Sequence, residues 1–194
     1  MIENDDPYVY PGTRVLRNRF GIVDSRSLDR IERRYAIQRS RRGVPLGSFD
    51  LAHLRAIHHH LFQDVYDWAG ELRTVEIFKG GNQFQFRQYI PTGMSDVHRR
   101  LTRAGFLKRL PAAEFAREAG IIIGDINYIH PFREGNGRTQ AQYLKQLAEQ
   151  AGHAFDLKRI DPKLWTDASK ASHAADYSSM AEVIRKAIVS PPKR

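Results

Sequence analysis

Ten residues, "HPFREGNGRT" from His130 to Thr139, hold a histidine, a carboxylate, an asparagine between two glycines, and two arginines. A loop that only turns the chain needs glycine and asparagine; it does not need His130, Glu134 and Arg138. If a helix begins at about Asn136 to Arg138, its unpaired N–H groups point back into this loop, and its dipole favours negative charge there. Gly135 and Gly137 let backbone approach a ligand closely and adopt positive φ. Successive N–H groups in such a turn form an anion nest. Asn136 can shape that nest and touch a phosphate oxygen, while Arg138 offers a planar fork for a second phosphate. Glu134 suits a polyphosphate only if a divalent cation such as magnesium bridges the two. His130, neutral near pH 7, can accept a proton from an attacking hydroxyl. The set describes phosphoryl or nucleotidyl transfer, a chemistry of positioning and charge stabilisation. Singly, each residue has an ordinary reading: a capping histidine, a glycine turn, and an i,i+4 ion pair worth about 0.2–0.5 kcal/mol. A purely structural loop therefore stays open beside the chemical one.

Helices must hold this loop. "SRSLDRIERRYAIQRSRR" reads as a helix from Ser25 to about Arg42, with Leu28, Ile31, Tyr35 and Gln38 on its apolar side. Gly43 and Pro45 end it. Asp50 caps a second helix carrying Leu51, Leu54, Ile57, Leu61 and Val65. Between Leu72 and Tyr89, β-branched and aromatic residues flank Gly80-Gly81-Asn82, which predicts a short hairpin leaning on the helices. Helix resumes from Gly93 to Arg103 and again from Pro111 to Ile129. Apolar Phe115, Ala119, Ile122, Ile126 and Ile129, with Ile121 and Ile123 beside them, mark this last helix as the central one. Ala141, Leu144, Leu147, Ala148 and Ala151 predict a helix after the loop, closed by Gly152. A further helix covers Ser179 to Ile188 and ends before Pro191-Pro192. The fold class is mostly α, with a buried central helix, one β-hairpin and the reactive loop between two helices.

At 194 residues the chain is expected to form a single domain over 1–194, with an N-terminal arm and helix (1–48), a catalytic core (49–152) and C-terminal helices (153–190). Cysteine is absent, which excludes thiolate chemistry and cysteine-built metal sites. The acidic, polar start is unlike a signal peptide, and no apolar run is long enough to span a bilayer; a cytoplasmic protein is expected. The net charge of +9 is concentrated in Arg33 to Arg42 and Arg99 to Arg109. Such an excess suits either a solvated helix face or a polyanionic partner. "HHH" at 58–60, with His53 and Asp64 nearby, reads as a polar, partly buried helix face rather than a metal site, since no metal-ligand signature accompanies it. Trp68 and Trp165 read as packing anchors, and a side chain of the second helix region is the candidate wall of a base pocket.

The loop also resembles a named pattern. "HPFREGNGR" is similar to the signature of the Fic (Fido) family of protein AMP-transferases: His, any, Phe, any, acid, Gly-Asn-Gly-Arg. The resemblance extends through "LFQDVYDWAGELR", "KGGNQFQFRQYI" and the N-terminal "DPYVYPGTRVLRNRFGI", so it covers nearly the whole chain. It implies the Fic helical fold and transfer of AMP from ATP to a Tyr, Thr or Ser hydroxyl, releasing pyrophosphate. It further implies that His130 is the base, Phe132 anchors the loop, Glu134 holds Mg2+, Gly135, Asn136 and Gly137 cradle the α- and β-phosphates, and Arg138 binds the distal ones. The hairpin around Lys79, Gly80 and Phe84 resembles the flap that docks the target protein, with Phe84 as its clamp.

Two departures matter. The fuller pattern ends in a second arginine, where this chain has Ala141. Reduced use of ATP, another diphosphate-linked donor, and an attenuated enzyme all remain open. The family's inhibitory Ser/Thr-x-x-x-Glu-Gly/Asn helix is also missing; Ser178 and Glu182 have its spacing, but Val183 follows. The resemblance thus implies the toxin class restrained by a small antitoxin that supplies the inhibitory glutamate, with a host-directed effector domain as the alternative setting. No membrane partner is expected, and nucleic acid is disfavoured; a basic binding module without catalysis is the contrasting reading.

Overall fold

The computed structural model describes residues 6–189. Helix α1 (Ser25–Arg41) starts at Asp24, whose carboxylate accepts the Ser27 N–H, and α2 (Leu51–Phe62) starts at Asp50, which accepts the His53 N–H. Such caps satisfy donors that the first turn leaves unpaired. A hairpin of two short strands follows, β1 (Phe78–Lys79) and β2 (Asn82–Gln83), paired antiparallel as Phe78 with Gln83 and Lys79 with Asn82. Its two-residue turn is Gly80-Gly81, with φ of 59° and 82°, so Asn82 belongs to the strand and not to the turn. Helix α3 (Ile90–Arg103) begins three residues before the sequence reading placed it, with Pro91 in its first turn. Then come α4 (Ala112–Ile129) and α5 (Asn136–Ala151), closed by Gly152 at φ 98°.

The C-terminal part holds α6 (Pro162–Ala171) and α7 (Ser178–Ala187). The sequence reading assigned no helix over α6, although Asp161-Pro162 is a regular start: the aspartate accepts the Lys163 and Leu164 N–H groups. Its apolar stripe is thin, with only Trp165 and Ala168 buried, and periodicity alone passes over it. Pro191 and Pro192 lie outside the described residues.

Helix α4 is the axis. Its Phe115, Ala119, Ile123 and Ile126 are wholly buried, and it packs against α3, α5 and α7. Helix α1 departs from its apolar pattern: the buried positions are Leu28, Glu32 and Ala36, and Gln38 is exposed. The stripe is displaced because Glu32, though charged, is drawn inward by two partners described below. In an antiparallel bridge Val9 pairs with Leu16, folding the N-terminal arm back on itself. Among the described residues no helix is long and apolar enough to cross a membrane.

The contact of α4 with α7 and the turn before it depends on a missing side chain. A Cβ at Gly124 would lie 2.5 Å from the Tyr177 ring and 2.9 Å from Ser172 Oγ. Gly124→Ala in an exposed helix would stabilise by about 1 kcal/mol. Here it is expected to destabilise by about 1–3 kcal/mol through overpacking, which urea denaturation will read as a lowered midpoint at unchanged slope.

Candidate active site

Helix α4 ends at His130, which adopts the left-handed conformation (φ 48°, ψ 63°). A non-glycine residue rarely stays there unless its surroundings hold it. Here Arg73, with a side chain at 0% exposure, supplies the hold. Its Nε donates to the His130 carbonyl at 2.8 Å and one Nη to the Val75 carbonyl at 2.7 Å. The other Nη donates to the carbonyl of Gln85 and, at 3.5 Å, to that of Ile129. The Arg73 N–H also bonds the Pro131 carbonyl at 2.9 Å. Glu76 balances the charge at 3.2 Å.

The His130 ring is fixed by two contacts. Its Nδ1 lies 3.2 Å from the Asn127 carbonyl, which can only accept, so Nδ1 carries the proton and Nε2 keeps its lone pair. One face stacks on Phe84, with centroids 3.8 Å apart and planes at 20°. Burial pushes the His130 pKa down to about 3, and the positive charges of Lys79 and Arg73 push the same way against the Asn127 hydrogen bond. The imidazole is therefore a neutral acceptor at physiological pH.

Past His130 the loop is pinned on every side. Phe132 is 1% exposed and stacks on His58 at 3.9 Å. Asn136 accepts the Phe132 N–H at 3.0 Å and donates to the Phe132 carbonyl at 2.8 Å, closing the loop like a staple. Its side chain is buried and engaged in shaping the loop, the first of the two duties expected of it. Gly135, at φ 81°, precedes α5, and its N–H donates to Glu134 Oε1 at 2.8 Å. Thr139 returns its hydroxyl to the Gly135 carbonyl at 3.0 Å.

His130 and Gly137 open onto one cavity of about 370 Å³, walled by Lys79, Gly80, Asn82 and Phe84 of the hairpin region and by Trp165 and Lys170 of α6. Phe84 and Trp165 form its aromatic walls, and no side chain of α2 lines it. Glu134 and Arg138 face a second, more polar depression beside α1, shared with Glu32 and Tyr66. The loop stands as a ridge between the two. On that second side Arg138 donates to Glu32 at 2.5 Å and lies over the Phe62 ring at 4.7 Å, whereas Glu134 is 3.7 Å away. The Tyr66 hydroxyl donates to the other Glu32 oxygen. Glu32 and Arg73 escaped the sequence reading because each looked like one more surface charge. The signal available for Glu32 was its place in line with Leu28 and Ala36.

The histidine cluster separates into individual structural duties. His53 Nδ1 accepts the Phe49 N–H, and its Nε2 faces the Pro45 carbonyl at 3.1 Å. His60 Nε2 lies 2.9 Å from the Arg39 carbonyl, Asp64 pairs with Arg39, and His59 is exposed. Of the two basic concentrations, Arg39, Arg99 and Arg100 are engaged by aspartates.

A buried helix, a glycine-rich anion loop beneath a hairpin and a following helix that opens on the loop define a nucleotide-transfer type of scaffold. Comparison with known proteins makes this specific. The sequence profile of the Fic/DOC family matches residues 48–148. The chain is 42% identical to the probable protein adenylyltransferase y4lH of Sinorhizobium fredii, covering 95% of this chain and 96% of that protein. It is 39% identical to the protein adenylyltransferase VbhT of Bartonella schoenbuchensis, covering 94% of this chain but 39% of VbhT. The fold matches the BepC effector protein of Bartonella tribocorum, crystallised with bound AMPPNP, at a TM-score of 0.85 and 26% identity over 95% of this chain and 97% of that one. This chain belongs to the Fic/DOC family.

Arg73→Met removes a buried fork and leaves its carbonyls without a donor. A loss of about 3 kcal/mol or more is expected, with little recovery in Arg73→Lys because one ammonium cannot span these acceptors. Denaturation curves give the energy, and limited proteolysis should show the hairpin opening first.

Proposed function

We propose that this chain transfers AMP from ATP to a Tyr, Thr or Ser hydroxyl of a target protein, with release of pyrophosphate. The observation that carries the reading is one orientation: Nδ1–H of His130 is tied to Asn127, leaving a neutral Nε2 with its lone pair available where the cavity meets the start of α5. The hydroxyl oxygen forms a bond to the α-phosphorus, its proton passes to Nε2, and the bond to the bridging oxygen of pyrophosphate breaks. The N–H groups of Gly135, Asn136 and Gly137 stabilise the charge that develops on the α- and β-phosphates. Arg138 serves the distal phosphate.

Gly137 supports the cradle. A Cβ there would meet only Trp165 Nε1, at 3.6 Å, so packing does not demand glycine at this position, which supports a ligand that approaches the backbone closely. Glu134 fits a metal-holding role: its carboxylate is exposed, and it already lies at the nest and near Arg138. Bound there, Mg2+ would neutralise phosphate charge during transfer.

The hairpin presents Lys79 and Gly80 at the cavity mouth, with Phe84 behind them on the His130 ring. An extended target segment adding to this strand edge would gain main-chain bonds whatever its sequence, which registers a hydroxyl over Nε2. A small antitoxin partner supplying an inhibitory glutamate is the proposed regulator; it would dock on the α1 side, where Arg33, Arg34, Ile37 and Arg41 are exposed.

α-Labelled ATP, but not γ-labelled ATP, is expected to label a target protein in lysate. His130→Ala should abolish the label; equal labelling from both nucleotides, or an active alanine variant, would overturn the reading. Because the neutral ring persists far below its ordinary pKa, kcat/KM should stay flat from pH 8 to about 5. An acid limb near pH 6.5 would mean that the base titrates as if exposed. Ala141 sits on α5 one turn beyond Gly137, and Lys145, the nearest replacement cation along the helix, is bonded to Glu149 at 2.7 Å. Ala141→Arg is therefore expected to raise kcat/KM for ATP about tenfold or more, the scale of one charge-assisted contact; an unchanged value would show that no distal cation is wanting.

A further inference from the structure

We infer that His58, a buried histidine of α2 remote in sequence from the reactive loop, is the positioning residue that aims the Gly135 N–H into the anion cradle. Its ring has only one consistent protonation pattern. Nδ1 accepts the Gly70 N–H at 2.8 Å, so it holds no proton. Nε2 therefore carries the hydrogen and donates it to the Glu134 carbonyl at 3.0 Å. That carbonyl belongs to the same planar peptide as the Gly135 N–H. In a trans peptide the two groups point in opposite directions. Holding the oxygen toward α2 thus forces the N–H outward, to the side where ligand phosphate is proposed to lie.

Two features show that the forced direction suits an anion. The Gly135 N–H is met by a carboxylate oxygen, Glu134 Oε1, at 2.8 Å, and Arg138 approaches the same oxygen at 3.7 Å. The peptide also has no easy alternative orientation. A Cβ on Gly135 would lie 2.5 Å from Phe62 and 3.2 Å from His58 Nε2, so the backbone is pressed against both rings. Stacking of His58 on Phe132 at 3.9 Å fixes the imidazole itself. His58 is wholly buried and reaches no substrate; it acts through one peptide plane.

The inference rests on the transfer reading above, and the test separates the two. His58→Gln keeps an amide donor near the position of Nε2 but loses the acceptor for Gly70. His58→Asn keeps an acceptor near Nδ1 but loses the donor to Glu134. Each loses one buried hydrogen bond and the ring stack, so their melting temperatures should fall by similar amounts. AMP transfer should divide them: kcat/KM is expected to drop about 10- to 100-fold in Asn and at least fivefold less in Gln, on the scale of disturbing one oxyanion donor. In the wild-type protein, nitrogen NMR should show His58 protonated at Nε2 alone, and titration with ADP should shift the Gly135 amide resonance. Loss of transfer in step with melting temperature in both variants, or an Nδ1-protonated His58, overturns the role of His58 and leaves the transfer reading intact. A Gly135 amide unmoved by ADP overturns the anion cradle itself, and this inference with it.

Discussion

Arg73 brings a full positive charge into the interior of a small helical protein. Burial works against that charge, and Glu76 compensates only from one side. The rest of the compensation comes from backbone carbonyls, and their origin explains the architecture. Ile129 and His130 contribute the C-terminal end of α4, where unpaired carbonyls concentrate partial negative charge. Val75 and Gln85 contribute the two sides of the hairpin base. One guanidinium thereby caps a helix, ties down a hairpin too short to stand by itself, and keeps His130 in a backbone conformation that it would otherwise leave. The Gln85 N–H closes the same junction by donating to the Tyr128 carbonyl at 3.0 Å. His130 and the hairpin are thus tied to a single group, which couples their relative positions.

The far side of the loop is braced differently. There α1 and α2 offer side chains: Glu32 and Tyr66 hold Arg138, Phe62 lies beneath its guanidinium and against Gly135, and His58 takes the Glu134 carbonyl. The Tyr66 pKa is driven up by burial and by the adjacent Glu32 carboxylate, so the phenol remains a donor. Arg138 consequently has a defined direction, so the distal phosphate proposed for it would meet an arginine already ordered, at a lower entropic cost of binding. A loop supported by hydrogen bonds to peptide groups on one side and by charged and aromatic side chains on the other is held rigidly, as the proposed transfer chemistry would require.

The sequence made the two helices around the loop legible because α4 has few polar positions and α5 follows a glycine-rich start. The loop itself was legible as a glycine-framed connection between those helices, while the residues alone left a structural loop open beside a chemical one. What escaped was everything whose meaning lies in a partner distant along the chain. Arg73 reads as a charge next to a hairpin and Glu32 as one of many charges on α1; Trp165 is the buried packing anchor expected of it, but its place on the cavity wall is not visible in the sequence. Local patterns report faces and caps; they do not report that Glu32 lies 106 residues from the arginine it holds. Asn136 shows the converse limit, since its type suited shaping and ligand contact alike and only the structure reveals the staple to Phe132.

The two glycines of the loop separate what the fold requires from what a ligand requires. Gly135 has positive φ and no room for a methyl group, so a side chain there would damage the folded protein whether or not nucleotide bound. Gly137 has ordinary helical neighbours and space for a Cβ, with Trp165 at contact distance. An alanine at Gly137 would even favour the first turn of α5. Stability alone therefore gives no reason for glycine at that position, yet the residue stands at the cavity that His130 also lines. The proposed nucleotide site accounts for glycine there, because phosphate oxygens gain most from N–H groups when no side chain holds them away.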